Sequence, residues 1–168
     1  RHYSLVENDG CINLMKGAIE LADKVTTVSP TYSREILEPY YSHGLDNILK
    51  EFTYKLTGIV NGIDYDVYNP EDASGIAAPF NSTDLSGKAV CKAALQEEVG
   101  LPVDPDVPII AMISRLVDHK GFDLVKRVFE EMVNAKAQFV ILGSGEWQYE
   151  TFFNDLSSKY PDKLAMLH

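Results

Sequence analysis

The last third of the chain alternates between continuous apolar runs and stretches with helical spacing. "VPIIAMIS" (107–114) and "AQFVILG" (137–143) are apolar runs of the kind that predicts buried strands of a parallel sheet. The stretch between them has the apolar spacing of an amphipathic helix, carried by Val125, Val128, Phe129, Met132 and Val133. A second stripe of the same kind follows, carried by Tyr149, Phe152, Phe153, Leu156 and Tyr160. "KLAML" (163–167) then begins a third strand.

This alternation predicts the fold class. The order strand, helix, strand, helix, strand is typical of parallel strands joined by crossover helices. We therefore expect an α/β protein with a parallel sheet and crossover helices. In sheets of this kind, ligands bind at the carboxyl ends of the strands, beside the N-termini of the helices that follow.

The first quarter of the chain carries shorter signals. Residues 12–22 have helical spacing, and the β-branched run "KVTTV" (24–28) predicts a strand. Ser29 can cap a helix and Pro30 suits its first position, so we expect a helix over residues 31–38.

The middle of the chain is interpreted as mostly irregular. "GLDNILKEFTYKL" (44–56) is polar and without clear periodicity, which indicates a connector. "TGIV" (57–60) predicts a strand that ends at an Asn-Gly turn signal. A helix is expected over "LSGKAVCKAALQEEVG", with Ser86 as its cap and Gly100 at its end.

Charge narrows the possible partners. The 168-residue chain has a formal net charge of −10. We do not expect binding to nucleic acid through a broad basic face, because phosphate contacts need clustered Lys and Arg. The apolar runs are shorter than the roughly 20 residues of a membrane span, so no membrane span is expected. Any anion site must be local, built from a few placed cations and backbone N–H groups.

Two strand ends carry residues suited to such a site. Arg115 and Lys120 follow the first predicted strand of the last third, and the turn Gly143-Ser144-Gly145 follows the second. Glycine lets the backbone approach a ligand closely, and helix N-termini present free N–H groups. Together these features predict a diphosphate site. The alternative stays open that "GSG" is only a tight turn and that both cations are ordinary surface charges.

Four segments resemble the bacterial glycogen synthases and plant starch synthases. "LMKGAIELADKVTTVSPTYSREI" and "GIVNGIDYDVYNPEDA" are similar to two motifs of that family. "SRLVDHKGFDL" resembles its Ser-Arg-Leu, Lys-Gly and Asp-Leu motif, and "ILGSGE" resembles its Leu-Gly-x-Gly turn. The four segments occur in the family's order and span nearly the whole chain.

The resemblance implies a fold and an activity. The family has the GT-B architecture, in which two Rossmann-like domains face a cleft. Its members transfer glucose from a sugar nucleotide, here expected to be ADP-glucose, to the end of an α-1,4-glucan with retention. By the same resemblance, Arg115 and Lys120 hold the donor diphosphate, and Asn61 reaches the transferred sugar. The family uses fixed cations there, so neither a catalytic metal nor a cofactor is expected. Asp64 is interpreted instead as a turn residue that bonds its own backbone.

The resemblance also implies a division into domains. Residues 1–50 would end the N-terminal, acceptor-side domain, and residues 51–168 would form the first half of the C-terminal, nucleotide-sugar-binding domain. The boundary is expected between Leu45 and Leu56. The family's Lys-x-Gly-Gly and Glu-Pro-x-Gly motifs are not found in this sequence, so we expect a fragment that is inactive alone. It should self-associate through an unpaired strand near residues 163–167.

Two other functions remain open. A related GT-B glycosyltransferase that uses a UDP- or GDP-sugar would share the "RL…KG" loop. A non-catalytic module that binds a sugar nucleotide or a glucan is the second. His119 and Tyr68 depart from the family pattern, where Gln and Trp are usual. The matches "ADKVTTVSPTY" and "NGIDYDVYNP" favour the synthase. A bacterial cytoplasmic location is expected, with a plastid as the alternative.

Overall fold

The computed structural model describes residues 3–168, which form two compact units. The first unit ends at Tyr68 and the second runs from Asn69 to His168. This division falls later than the domain boundary expected from the sequence, because the strand that begins at Leu56 pairs inside the first unit. The assignment of residues 1–50 and 51–168 to two domains of a longer enzyme stays a prediction.

The first unit contains short helices and two small sheets. In chain order its elements are α1 (Tyr3–Val6), β1 (Glu7–Asn8), β2 (Cys11–Ile12), α2 (Leu14–Leu21), β3 (Val25–Val28), α3 (Tyr32–Glu35), α4 (Pro39–Ser42), α5 (Asp46–Glu51), a 3₁₀ turn (Thr53–Lys55) and β4 (Leu56–Ile59). β1 and β2 are antiparallel, whereas β3 and β4 are parallel. The predicted helix over 12–22 and both predicted strands are confirmed, with narrower bounds for the helix.

The segment interpreted as an irregular connector is instead helical and belongs to the core. Ile48 and Leu49 on α5 are buried together with Ile19 of α2 and Ile36, which follows α3. The prediction of a connector was wrong because only two of the six residues of α5 face the core, so the helix is too short to show a periodic stripe.

The helix predicted over residues 31–38 is also shorter than expected. Ser29 does bond the start of this helix, because its hydroxyl oxygen accepts hydrogen bonds from the N–H groups of Thr31 and Tyr32 at 3.2 and 3.4 Å. α3 nevertheless begins at Tyr32, with Thr31 rather than Ser29 at the cap position. α3 then stops at Glu35, and Pro39 begins a new helix rather than only ending the old one. Proline suits the first turn of a helix, where its missing N–H has no partner to lose.

A buried lysine joins two parts of the first unit. The Nζ atom of Lys55 donates to the carbonyl oxygens of Glu20 and Ala22, each at 2.8 Å, and lies 4.4 Å from the centre of the Phe52 ring. These carbonyl groups are at the C-terminal end of α2, where the helix dipole favours a cation. Lys55 therefore ties the end of α2 to the segment that leads into β4.

The second unit is a three-stranded parallel sheet with helices. Its elements are a 3₁₀ turn (Ala73–Gly75), α6 (Ser86–Glu98), β5 (Ile109–Ile113), a 3₁₀ turn (Asp118–Lys120), α7 (Phe122–Val133), β6 (Gln138–Leu142), α8 (Trp147–Lys159) and β7 (Leu164–Leu167). The strand order is β5-β6-β7, and both pairs are parallel. The predicted α/β class and the crossover helices are confirmed. None of the described helices is both long and apolar enough to cross a membrane.

One face of this sheet forms the main core with α7 and α8. The largest fully buried side chains of this cluster come from the two helices, from β6 and β7, and from the loop after β5: Leu116, Phe129, Phe139, Ile141, Phe153 and Leu164. The rings of Phe129 and Phe139 lie 5.3 Å apart, and those of Phe129 and Phe153 lie 5.9 Å apart. Tilted and edge-to-face pairs at these distances stabilise the packing beyond the area they bury.

Two details of the second unit differ from expectation. β5 was predicted to be buried, yet Ile113 is 74% exposed and Ile110 is 43% exposed. β5 lies at an edge of the described sheet, so an apolar sequence alone did not decide its burial.

Ser86 is the first residue of α6 rather than its cap, and the Asp84 carboxylate accepts the Ser86 N–H at 2.9 Å.

Two buried glutamines fasten the segment before β5 to the sheet. The Gln96 Nε2 atom donates to Gln138 Oε1 at 2.6 Å and to the Asp104 carbonyl oxygen at 3.2 Å. The Gln138 Nε2 atom donates to the Pro102 carbonyl oxygen at 2.7 Å. Both side chains are almost fully buried, so each of these hydrogen bonds satisfies a group that water cannot reach.

Replacing Gln138 with Leu should lower the free energy of unfolding by about 1–3 kcal/mol, because the Gln96 amide would stay buried without its closest partner. Urea unfolding followed by circular dichroism would measure the change. The double variant Gln96→Leu with Gln138→Leu should cost less than the sum of the two single variants, since no orphaned amide remains. A single variant within about 0.5 kcal/mol of the wild type would contradict this role.

Candidate functional site

The loops that leave β5 and β6 run side by side at the carboxyl edge of the sheet. The Leu116 N–H donates to the Ser144 carbonyl oxygen at 2.9 Å, and the Glu146 N–H donates to the Leu116 carbonyl oxygen at 2.7 Å. Leu116 and Gly145 thus form a parallel bridge beyond the ends of the two strands. The parallel pairing of β5 and β6 continues into the loops and holds them in register.

The two glycines of the turn are required by this close approach. A Cβ atom at Gly143 would overlap the carbonyl oxygen of Ser114, and a Cβ atom at Gly145 would overlap the carbonyl oxygen of Leu116. The sequence assigned these glycines to close contact with a ligand. The structure gives a second reason for them, which is contact between the two loops.

The loop that carries the predicted cations is anchored at its centre. Leu116 is fully buried in the main core, and Gly121 adopts the left-handed conformation (φ 78°) that lets α7 begin directly after the 3₁₀ turn. Arg115 and Lys120 lie on either side of this anchor, and both are exposed. Within residues 3–168, neither side chain makes a hydrogen bond or an ion pair with another residue. These two positive charges therefore stay available to an anion.

Carboxylates from the start of α8 bind the backbone of these loops. Glu146 Oε1 accepts the Asp118 N–H at 3.1 Å, and Gln148 Nε2 donates to Glu146 Oε2 at 2.8 Å. Both hydrogen bonds lower the pKa of Glu146. The bond from Gln148 has the largest effect, and the bond from the Asp118 N–H has the next largest. Glu150 Oε1 accepts the Gly145 N–H at 2.7 Å. The N–H of Gly145, a residue of the turn that the sequence assigned to ligand binding, is therefore bound by a carboxylate of the chain itself.

A buried tyrosine also holds the loop of the two cations. The Tyr149 hydroxyl donates to Asp118 Oδ1 at 3.3 Å, and the Tyr149 ring packs 5.8 Å from the ring of Phe122. Burial raises the pKa of Tyr149, and the negative charge of Asp118 raises it further. The phenol therefore stays protonated at neutral pH and serves as a donor.

Two sequence-predicted residues lie in the first unit. Asn61 is exposed in the segment that follows β4, and its predicted contact with a sugar stays a prediction. Asp64 Oδ1 accepts the N–H groups of Asp66 and Val67 at 3.0 and 3.2 Å. The interpretation of Asp64 as a turn-stabilising residue is therefore confirmed.

The second unit thus collects most of the predicted site at one edge. Arg115, Lys120 and the turn 143–145 lie on neighbouring loops, next to the N-termini of α7 and α8. Exposed cations beside helix N-termini are suited to bind a phosphate group or a diphosphate. Among the described residues, no cluster of three or more His, Cys, Asp or Glu side chains could hold a metal ion.

Sequence reasoning missed the acidic and aromatic residues that hold the loops. Glu146 and Glu150 lie just before and within the first turn of α8, where carboxylates stabilise a helix dipole. That pattern is visible in the sequence, but it does not indicate which backbone groups the two carboxylates bind. The partners, Asp118 and Gly145, become apparent only when the two loops are seen side by side.

The chain is similar to known glucan synthases over nearly its whole length. A family profile described as the starch synthase catalytic domain matches residues 1–51. A glycogen synthase of Anoxybacillus flavithermus is 46% identical over 99% of this chain and 35% of its own length. A glycogen synthase of Streptococcus equi subsp. equi is 48% identical over 92% of this chain and 33% of its own length. The chain therefore spans about a third of the length of these relatives.

A solved structure shares the fold. It is the catalytic domain of starch synthase IV from Arabidopsis thaliana, bound to ADP and acarbose, with a TM-score of 0.85 and 35% sequence identity. The match covers 93% of this chain and 32% of that one. The α/β fold with parallel sheets is thus that of a starch synthase catalytic domain, a GT-B glycosyltransferase. Because sequence similarity extends over nearly the whole chain and the fold agrees, this chain belongs to the glycogen and starch synthase family.

Proposed function

We propose that this chain is part of a retaining glucosyltransferase that transfers glucose from ADP-glucose to the non-reducing end of an α-1,4-glucan. The observation that carries the proposal is the pair of exposed cations, Arg115 and Lys120, on an anchored loop at the carboxyl edge of a parallel sheet. Ligands of such sheets bind at this edge. The related starch synthase bound to ADP and acarbose supports both the nucleotide and the glucan.

The proposed chemistry depends on charge at the leaving group. As the bond between glucose and the diphosphate of ADP-glucose breaks, negative charge grows on the departing phosphate oxygen. Arg115 and Lys120 would stabilise that charge from fixed positions, and such stabilisation is stronger where water is excluded. We propose that these cations take the place of a catalytic metal and that no cofactor is needed.

Two alternatives rest on the same features. A GT-B enzyme that uses a UDP- or GDP-sugar would present the same two cations to a diphosphate, and a binding module would hold the nucleotide without transfer. The ADP bound by the related starch synthase favours an adenine nucleotide. A panel of ADP-, UDP- and GDP-glucose, tested for transfer to a maltooligosaccharide, separates all three possibilities.

The proposed cellular location and binding partners rest on the relatives of the chain and on its net charge. The two glycogen synthases described above are bacterial, which supports a bacterial cytoplasmic enzyme over a plastid one. The net charge of −10 argues against a nucleic-acid partner. Glucan and nucleotide sugar remain the proposed binding partners, with no role for a membrane.

Replacing Arg115 or Lys120 with Ala in the enzyme that contains this chain should lower turnover about a hundredfold, because one cation is lost beside a developing charge. Steady-state transfer from ADP-glucose to a maltooligosaccharide would measure the effect. Arg127→Ala and Lys136→Ala are matched controls, since both side chains are exposed and lie elsewhere in the second unit. Turnover within about threefold of the wild type for both site variants would remove the proposed role.

Replacing Asn61 with Ala should lower turnover while leaving ADP affinity nearly unchanged. We propose that this side chain meets the transferred glucose rather than the diphosphate. Isothermal titration with ADP and a rate assay on the same preparation test the two effects together. Asn47→Ala is a suitable control, because Asn47 is also exposed and lies on α5. A large loss of ADP affinity in a folded Asn61→Ala protein would contradict the proposed contact.

We also propose that the isolated chain self-associates through strand edges. Within the described sheet, β5 and β7 each pair on one side only, so each leaves a row of backbone groups open to another chain. Neither strand carries a charge, and β5 is the more exposed of the two. An uncharged, exposed edge strand lacks the features that prevent pairing between chains.

Light scattering after size exclusion should therefore show dimers or larger species of the isolated chain in the micromolar range. Ala111→Lys places a charge on β5 and should shift the chain toward monomer. Val90→Lys adds the same charge on an exposed position of α6, where it should leave the association unchanged. A wild-type chain that elutes as a monomer would remove this proposal.

A further inference from the structure

We propose that Glu146 is a positioning residue that holds Lys120 in place for the donor diphosphate. This inference rests on the proposed function, since it assigns Lys120 to a diphosphate. It adds a residue that lies on the neighbouring loop and that acts through the backbone rather than by touching the donor.

Glu146 holds the loop of the two cations at two points. Its N–H donates to the Leu116 carbonyl oxygen at 2.7 Å, and its carboxylate accepts the Asp118 N–H at 3.1 Å. Leu116 and Asp118 lie between Arg115 and Lys120 in the sequence. One residue of the second loop therefore fixes the stretch that separates the two cations.

The two ends of that stretch are held in different ways. The Arg115 end adjoins Leu116, which is fully buried and is joined to the second loop by backbone hydrogen bonds at both its N–H and its carbonyl oxygen. The Lys120 end lies in the exposed 3₁₀ turn, whose first residue, Asp118, is tied to α8 through side chains of Glu146 and Tyr149. Loss of the Glu146 side chain should therefore loosen Lys120 and leave Arg115 in place.

The hydrogen-bond partners of Glu146 are neutral groups, and His119 adds a smaller charge interaction that also lowers the pKa of Glu146. Its two carboxylate oxygens accept hydrogen bonds from the Asp118 N–H and from Gln148. Within the described part of the chain, it forms no ion pair with Arg115 or Lys120. We therefore expect the turn to require the hydrogen bond that Glu146 accepts rather than its negative charge. An amide at this position can still accept the Asp118 N–H through its oxygen.

In the enzyme that contains this chain, replacing Glu146 with Ala should lower kcat/KM for ADP-glucose by about tenfold to a hundredfold, because small displacements of a binding cation cost that much. Glu146→Gln should restore kcat/KM to within about threefold of the wild type. Glu131→Ala, which removes an exposed carboxylate on α7, is the control for a change of net charge alone. Amide hydrogen exchange at Asp118 and Lys120 should be faster in the Ala variant and unchanged in the Gln variant.

A double-mutant cycle makes the assignment to one cation testable. The effects of Glu146→Ala and Lys120→Ala on kcat/KM should be clearly less than additive. Once the loss of Glu146 has displaced Lys120, the lysine contributes little to donor binding, so its removal has little further effect. The effects of Glu146→Ala and Arg115→Ala should be nearly additive. Equal coupling to both cations, or full additivity with Lys120, would overturn the proposal.

The remaining outcomes separate this proposal from the proposed function. If Glu146→Gln were as impaired as Glu146→Ala, the negative charge would matter and the positioning role would fall, while the transfer reaction stood. If the wild-type enzyme that contains this chain transferred no glucose from ADP-glucose, the proposed function would fall. Faster exchange at Asp118 in the Ala variant alone would then still support Glu146 as the residue that holds the turn.

Discussion

The backbone bridge between the loops after β5 and β6 is the interaction on which the candidate site depends. Leu116 donates to Ser144 and accepts from Glu146, while its side chain is buried in the main core. A loop tethered in this way loses little further conformational freedom when a ligand binds. That matters for Arg115 and Lys120, because long side chains on a mobile loop would have to be ordered by the ligand itself.

Away from the site, buried polar side chains also hold segments of the chain in fixed positions. Gln96 and Gln138 bond each other and the carbonyl groups of the segment before β5. Lys55 bonds the last carbonyl groups of α2 in the first unit. In each case a buried polar side chain connects a loop or helix end to a more regular element. Such contacts specify one arrangement of chain segments, because any other would leave a polar group unsatisfied.

The sequence predicted the regular parts of the fold well. α7, β6, α8 and β7 carry strong apolar patterns, and the α/β class followed from their order. The short helix α5 was missed because six residues cannot display a period, and β5 was expected to be buried because its composition resembles that of a central strand. Composition reports what a strand can tolerate on its faces, whereas burial depends on which neighbours cover it.

The sequence showed the charged residues of the candidate site but not the contacts that hold them in place. Arg115 and Lys120 were visible as cations after a strand, and the turn 143–145 was visible as glycines. The carboxylates of Glu146 and Glu150 were not assigned, since their partners are backbone N–H groups that any residue provides. Contacts between a side chain and a distant backbone group leave no pattern in sequence spacing, so they become apparent only in three dimensions.

The crowding at Gly143 and Gly145 restricts how this edge of the sheet can be redesigned. Any side chain at either position would push into a carbonyl group of the neighbouring loop, so both are closed to substitution whatever the donor. Ser144 lies between them with an exposed side chain, and only its backbone oxygen takes part in the bridge. Along this turn, Ser144 is therefore the one adjustable position, at which size and polarity can be varied while the backbone stays where it is.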